Sequence, residues 1–563
     1  MHISEKGDGD GSLDSPLSGD ASPALSGREI DLSRPFGRLR SVREGDVLFE
    51  AGDADYDFHV VLDGVVAVID EHDHEQRPLA THGKGEFVGD LALLSGGIAF
   101  AKGVVRQDGE LLQVAAPRLR EVVEQEPALS ELILHALLLR RSRLISDGGG
   151  VEVIGSPASP ETQRLRRFLR RNGVPHAVSD ALHDARASAR LAEVGAGLEQ
   201  TPVVLRARGR PLASPTEAEL AQALGIGGAR PRTEPYDLVI IGSGPAGLAA
   251  SVYAATDGLA AGTVEALALG GQAGTSPRIE NYLGFPAGVS GAELTQRALI
   301  QAVKFGAEFL LPRAAQSLAP GPEGTNVIGL DDGSELTARH VIVATGARYR
   351  RLEVPGAARF EAFGLFYAAT HLDAVDCRGH EVIVVGGGNS AGQAALSLTS
   401  YASRVHLLVR RAELSATMSH YLIERIAANR RVALATSSRI VELVGEDRLE
   451  GAVVEGPDGQ ARTLPVRAVY ALLGAEPRTE WLPDTIERDE HGFLLTGEAV
   501  SRRGRGSAEW ATAGRAPASL ETSVPGVLAA GDVRAGSVKR VASAVGEGAT
   551  ASRFVRERLI PTS

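Results

Sequence analysis

The stretch Tyr236-Asp-Leu-Val-Ile-Ile-Gly-Ser-Gly-Pro-Ala-Gly-Leu-Ala-Ala250 decides the fold. Leu238–Ile241 reads as a buried parallel strand, and the small apolar residues after Gly247 read as a helix. Between them Gly242, Gly244 and Gly247 keep G-x-G-x-x-G spacing. The first glycine permits a tight turn, the second lets backbone approach a diphosphate, and the third lets helix and strand pack closely. The helix start then offers unpaired N–H groups and the positive end of its dipole to phosphate. Glu265 stands close to the roughly 20-residue spacing expected of a ribose-binding carboxylate. Strand, glycine turn, helix and acid together predict a dinucleotide site.

The chain has 563 residues, which predicts three or four domains. Apolar residues make up 43%, a globular fraction, and the net charge of −12 argues against nucleic acid as a main partner. No apolar run approaches the roughly 18 residues that span a bilayer, and no secretory signal pattern opens the sequence. A cytoplasmic protein without a membrane partner is expected. The single cysteine, Cys377, leaves no intrachain disulfide, no C-x-x-C pair and no zinc motif, so no metal is expected.

Residues 1–28 are rich in Gly, Ser, Asp and Pro and read as a disordered tail. Residues 35–145 give short alternating runs broken at Gly45, Gly52 and Gly64, then two helical stretches, which predicts a small antiparallel β domain closed by helices. This order resembles a cyclic-nucleotide-binding domain: a β-roll, a phosphate-binding cassette and closing helices. The resemblance places Gly89 and Asp90 where that family holds a ribose-binding Gly-Glu pair. Phe100 falls where the phosphate-binding arginine belongs, and Lys102 is the nearest cation in sequence. Burying a phosphate without a paired cation is costly. The expected reading is a degenerate cassette kept for packing or dimer contacts, with cyclic-nucleotide binding as the alternative.

After Asp147–Gly150, residues 151–227 read as strand, helix, strand, a strand pair around Thr201-Pro202, and a final helix. The order resembles a glutaredoxin or thioredoxin fold, which implies a cis proline at Pro202. Its cysteines would stand near Ser156–Thr162, where there are none, so thiol chemistry is not expected of it.

From Tyr236 onward the chain resembles the thioredoxin reductase family of flavoproteins. The pieces come in family order: GSGPAG, GGQAG at Gly270–Gly274, ENYLGFP at Glu280–Pro286, VIVATGA at Val341–Ala347, EVIVVGGGNSA at Glu381–Ala391 and AAGDVRAG at Ala529–Gly536. The resemblance implies FAD bound by Gly242, Gly244, Pro245, Ala246, Gly247, Glu265, Gly271, Gln272, Asn281, Thr345, Gly346, Gly531, Asp532, Val541 and Ala542. Asp532 would accept a hydrogen bond from a ribityl hydroxyl. The helix from Val541 would turn its N-terminus toward the flavin pyrimidine oxygens. One strand is weakly written: LAAGTVE, before Glu265, is poor in β-branched residues and contains Gly262.

The resemblance further implies an inserted NADPH domain, with Gly386, Gly388, Asn389, Ser390 and Ala391 in its dinucleotide turn. Its second strand ends in Arg410-Arg411, where cations favour the 2′-phosphate of NADPH over the free ribose hydroxyl of NADH. The family's C-A-T-C motif should fall in Tyr367–Ala374, yet Ala368 and His371 stand at its two cysteine positions. A dithiol relay needs two sulfurs, and Cys377 reads as structural.

The expected architecture is multidomain: a β-roll with helices (29–147), an α/β thioredoxin-like domain (151–227), and two Rossmann-like α/β domains. The NADPH domain (353–475) is inserted in the FAD domain (235–352 and 476–563). The expected activity is hydride transfer from NADPH to FAD, with an acceptor not served by an internal dithiol. That acceptor is a small redox protein, a quinone, oxygen or a partner's disulfide. Thioredoxin-disulfide reduction and a redox sensor of little turnover are the alternatives, and the resemblance implies a homodimer.

Overall fold

A computed structural model describes residues 21–559, except 71–76, 147–148, 158, 228–230, 277–278, 280, 362–363, 368–376, 416, 447 and 504–506. The chain divides into two compact units. One holds the described residues up to Gly346 with those from Arg478 onward, and the other is Ala347–Pro477.

The first unit opens with an antiparallel six-stranded sheet in the order Arg38–Val42, Lys102–Val114, Phe58–Asp70, Arg77–His82. Val47–Phe49 and Phe87–Val88 pair at its flanks. Its two central strands are 13 residues each, not the short runs that the glycines suggested. Gly64 is absorbed as a bulge, with φ of +90° and shifted register on both sides, so the strand bends without ending. Helices Ala116–Gln125 and Pro127–Ser146 close the sheet. Part of the expected tail is ordered instead. Ala21 and Leu25 are buried, Ser26 forms a capping box with Glu29, and Arg140 Nε donates to the Ala21 carbonyl. Two apolar anchors and one cap outweigh a polar composition here.

Next comes a four-stranded sheet in the order Leu212–Ala213, Val203–Leu205, Val151–Ile154, His176–Ser179. Only the last pair is parallel. Helices Pro160–Arg171, Ala185–Glu193 and Glu217–Leu224 cover it, and the Thr201–Pro202 peptide is cis.

The rest of this unit is built on parallel strands. Tyr236–Ile241 lies between Ala261–Val264 and Glu335–Val343, with Glu308–Leu310 and Val527–Ala529 outside them. The weakly written strand is real, and Gly262 has a packing reason: a Cβ there would meet the Tyr236 ring at 2.7 Å. Helices Pro245–Thr256 and Val541–Leu559 cross closely because both present small residues. A Cβ on Gly548 would lie 2.0 Å from the Ala246 carbonyl oxygen.

The second unit has five parallel strands in the order Leu365–Phe366, Ala468–Ala471, Glu381–Val385, Arg404–Val409, Val432–Thr436. A three-stranded antiparallel sheet follows. The antiparallel ribbon Ala347–Tyr349 with Ala475–Pro477 also falls in this unit.

Candidate functional site

At the end of strand Tyr236–Ile241 the chain turns through Gly242 with φ of +103°. A Cβ on Gly242 would come 2.5 Å from the Ala344 carbonyl oxygen, and one on Gly247 would come 1.8 Å from the Gly242 oxygen. No other residue fits either place. Helix Pro245–Thr256 then starts at Gly244 without a side-chain cap, so its first amides are offered outward. Gly271 packs on this turn: its Cβ would lie 2.9 Å from Gly244 Cα. The result is a cradle of bare backbone that suits a diphosphate.

Glu265 directly follows strand Ala261–Val264. Its carboxylate accepts from the Ser243 amide at 3.0 Å, the Ser243 hydroxyl at 2.8 Å and the Leu267 amide at 3.0 Å. Ser243, a motif residue that sequence reasoning passed over, thereby fixes the acid beside the glycine turn. Gln272 and Asn281 both lie exposed on the following loops.

The opposite side comes from the end of the chain. Thr345 and Gly346 follow strand Glu335–Val343, and the Thr345 hydroxyl donates to the Arg478 carbonyl at 2.9 Å. Gly531, with φ of +77°, would bring a Cβ 3.0 Å from Ala246 Cβ. The Gly531 amide donates to Glu547 at 2.7 Å, and Arg534 pairs with the same carboxylate. Burial raises the Asp532 carboxyl above its usual range, partly offset by Lys539. A partly desolvated acceptor of this kind gains from a hydroxyl donor. The helix begins at Val541, half-buried, and Ala542, exposed.

In the second unit Gly386 has φ of +145°. A Cβ there would lie 2.5 Å from the Leu472 oxygen and 3.0 Å from Ala391 Cβ. Helix Asn389–Leu398 starts at Gly388, again with no side-chain cap. Asn389 does not stay open to a ligand through its Oδ1, which accepts from the Ser419 amide at 2.7 Å. Ser390 is exposed and Ala391 buried. Arg410 and Arg411 are exposed, directly after strand Arg404–Val409. Ala368 and His371 lie outside the described residues. Cys377 is 2% exposed in the core of this unit, its Sγ 3.5 Å from the Tyr470 hydroxyl.

In the β-roll cassette Lys102 Nζ lies 3.3 Å from Glu50. Asp90 is paired with Arg141 from helix Pro127–Ser146, whose guanidinium lies 4.9 Å from the Phe100 ring centroid. Phe100 packs in one core with Val151, Leu165 and Phe168 of the next domain. Arg141 lies some 50 residues from Asp90, and no local pattern marks it.

Residues 236–548 match the family model for pyridine nucleotide-disulphide oxidoreductase, and residues 39–126 match that of the cyclic nucleotide-binding domain. A thioredoxin reductase of Mycolicibacterium smegmatis is 34% identical over 318 residues, covering 56% of this chain and 94% of that one. A thioredoxin reductase of Treponema pallidum is 33% identical over 319 residues, covering 56% of this chain and 95% of that one. The crystal structure of thioredoxin reductase from Streptococcus pyogenes superposes with a TM-score of 0.51 at 31% identity, covering 58% of this chain and 99% of that one.

Proposed function

The chain belongs to the pyridine nucleotide-disulphide oxidoreductase family, and from that premise we propose that it passes electrons from NADPH through FAD to an acceptor outside the chain, without an internal dithiol. It is an NADPH-dependent flavoprotein oxidoreductase. When bound, FAD supplies two-electron chemistry between the nicotinamide and the acceptor. The chain's residues bind and orient. The uncapped helix start at Gly244 would hold the diphosphate, Glu265 the ribose and Asp532 the ribityl chain. The start of helix Val541–Leu559 would offer its positive dipole end to the flavin ring. Gly386, Gly388 and Ala391 would cradle the second dinucleotide, and Arg410-Arg411 would select its 2′-phosphate.

The observation that carries the no-dithiol reading is the cysteine count. One thiol is present, and it is sealed in a core. The 151–227 domain fits a thioredoxin-type scaffold, with Pro202 packed on Gly155, and it brings no sulfur. The acceptor class that fits is a small redox protein or a quinone-like molecule reduced at the flavin itself. A homodimer belongs to this reading.

An anaerobic NADPH titration followed by flavin absorbance tests it. Full bleaching near one equivalent is expected of a single redox centre. No bleaching would overturn the enzyme reading. Robust turnover with thioredoxin in an insulin-reduction assay would overturn the no-dithiol reading alone.

A further inference from the structure

The flavin half does not form its diphosphate cradle alone. Helix Pro160–Arg171 of the preceding domain ends against it. Arg171 Nη2 donates to the Gly271 carbonyl at 3.3 Å, and Asn172 Nδ2 donates to the Leu267 carbonyl at 3.2 Å. Both acceptors lie on the loop that runs from Glu265 to Gln272. Gly271 is the residue in backbone contact with Gly244, so the guanidinium holds the carbonyl of the residue that packs on the glycine turn.

Burial acts most strongly on Arg171, and of the charged groups around it Glu265 and Glu217 favour its cation while Arg478 and Arg167 oppose it. Holding a loop carbonyl needs only a neutral donor, and Asn172 is already one. A half-buried guanidinium adds a fixed positive charge, at the cost of desolvation, where a dinucleotide brings two negative charges. Arg171 stays cationic in this setting, since a guanidinium is not deprotonated in proteins.

We propose that Arg171, delivered by the 151–227 domain, is a cofactor-binding residue that completes the site for the adenosine diphosphate half of FAD. Flavin retention then depends on that domain remaining docked. This rests on the flavin reading above.

The test is calorimetric titration of the full-length apoprotein with FAD, ADP and riboflavin, for the wild type, Arg171→Gln and the exposed same-helix control Arg170→Gln. Arg171→Gln is expected to weaken FAD and ADP about ten- to a hundredfold, with riboflavin unchanged and Arg170→Gln like the wild type. High salt should narrow the gap between wild type and variant. Equal ADP affinity in wild type and Arg171→Gln overturns the proposal, and so does an equal loss of riboflavin, which would mean loop collapse. Should Arg171→Gln fail to fold, Arg171→Lys keeps the charge without the fork and must retain salt-sensitive ADP binding. A wild type that binds no FAD removes the flavin reading itself, whereas a wild type that binds FAD as well as its variant removes only the role of Arg171.

Discussion

Glu521 is fully buried, and three donors converge on it. Arg515 and Arg558 each give it two hydrogen bonds, and the Ala518 amide gives one at 2.8 Å. Burial alone would raise its pKa, but the two guanidinium groups and the amide prevail and bring it to about 2 from an unperturbed 4.5. A carboxyl depressed in the folded state stabilises above its unfolded pKa and loses that contribution as pH falls through the folded one. Glu521→Gln should therefore cost on the order of 3 kcal/mol at neutral pH, and the deficit should shrink between about pH 4.5 and 2. Denaturant unfolding of both proteins across that window reads it; a deficit unchanged at the acid end counts against the account. Single residues were legible in the sequence where their demand is local. Gly247 answers to the Gly242 oxygen within one turn, and Gly242 to its own positive φ at the strand's end. Arg171, Arg141 and Glu547 were not, because their partners are contributed by distant segments and no spacing rule records them.

At the scale of elements, strand Arg404–Val409 ends in two exposed guanidinium groups where an acid would otherwise hold a free ribose. Replacing Arg410 and Arg411 together by serine should reduce the preference for NADPH over NADH about ten- to a hundredfold. The ratio of kcat/KM for the two nucleotides in flavin reduction measures this. A variant that keeps its preference would move the 2′-phosphate site elsewhere. Elements were well written where the apolar run is continuous, as in Glu381–Val385. They were poorly written where a neighbour decides. Gly262 makes Ala261–Val264 look broken until the Tyr236 ring fills its place. Gly64 looks like a turn until Gln107 and Gly109 of the facing strand fix it as a bulge.

For the whole molecule, the cyclic-nucleotide-binding-like region and the flavoprotein half were readable because several motifs of each stand in order along the chain. Their shared cores were not. Ile98, Phe100 and Leu144 of the β-roll region join Val151, Leu165 and Phe168 in one cluster. Phe100, where the resemblance places the phosphate-binding arginine, thus packs into an interface, and Arg141 pairs with Asp90. Calorimetric titration of the full chain with cyclic AMP and cyclic GMP should show no micromolar binding. Heat at micromolar ligand would mean that Arg141 yields Asp90, and this account of the cassette would fail.

The interrupted flavin domain also sets an order of events during synthesis. Strand Glu335–Val343 leaves the ribosome well before its neighbour Val527–Ala529, with the whole second unit in between. At bacterial-like translation speeds that gap lasts about 10–40 s. Through that interval the nascent chain holds the glycine turn and Arg171 but lacks Asp532 and the helix that packs on Ala246. The newborn chain can complete this parallel sheet and its closing helix pair only once its last segment has emerged.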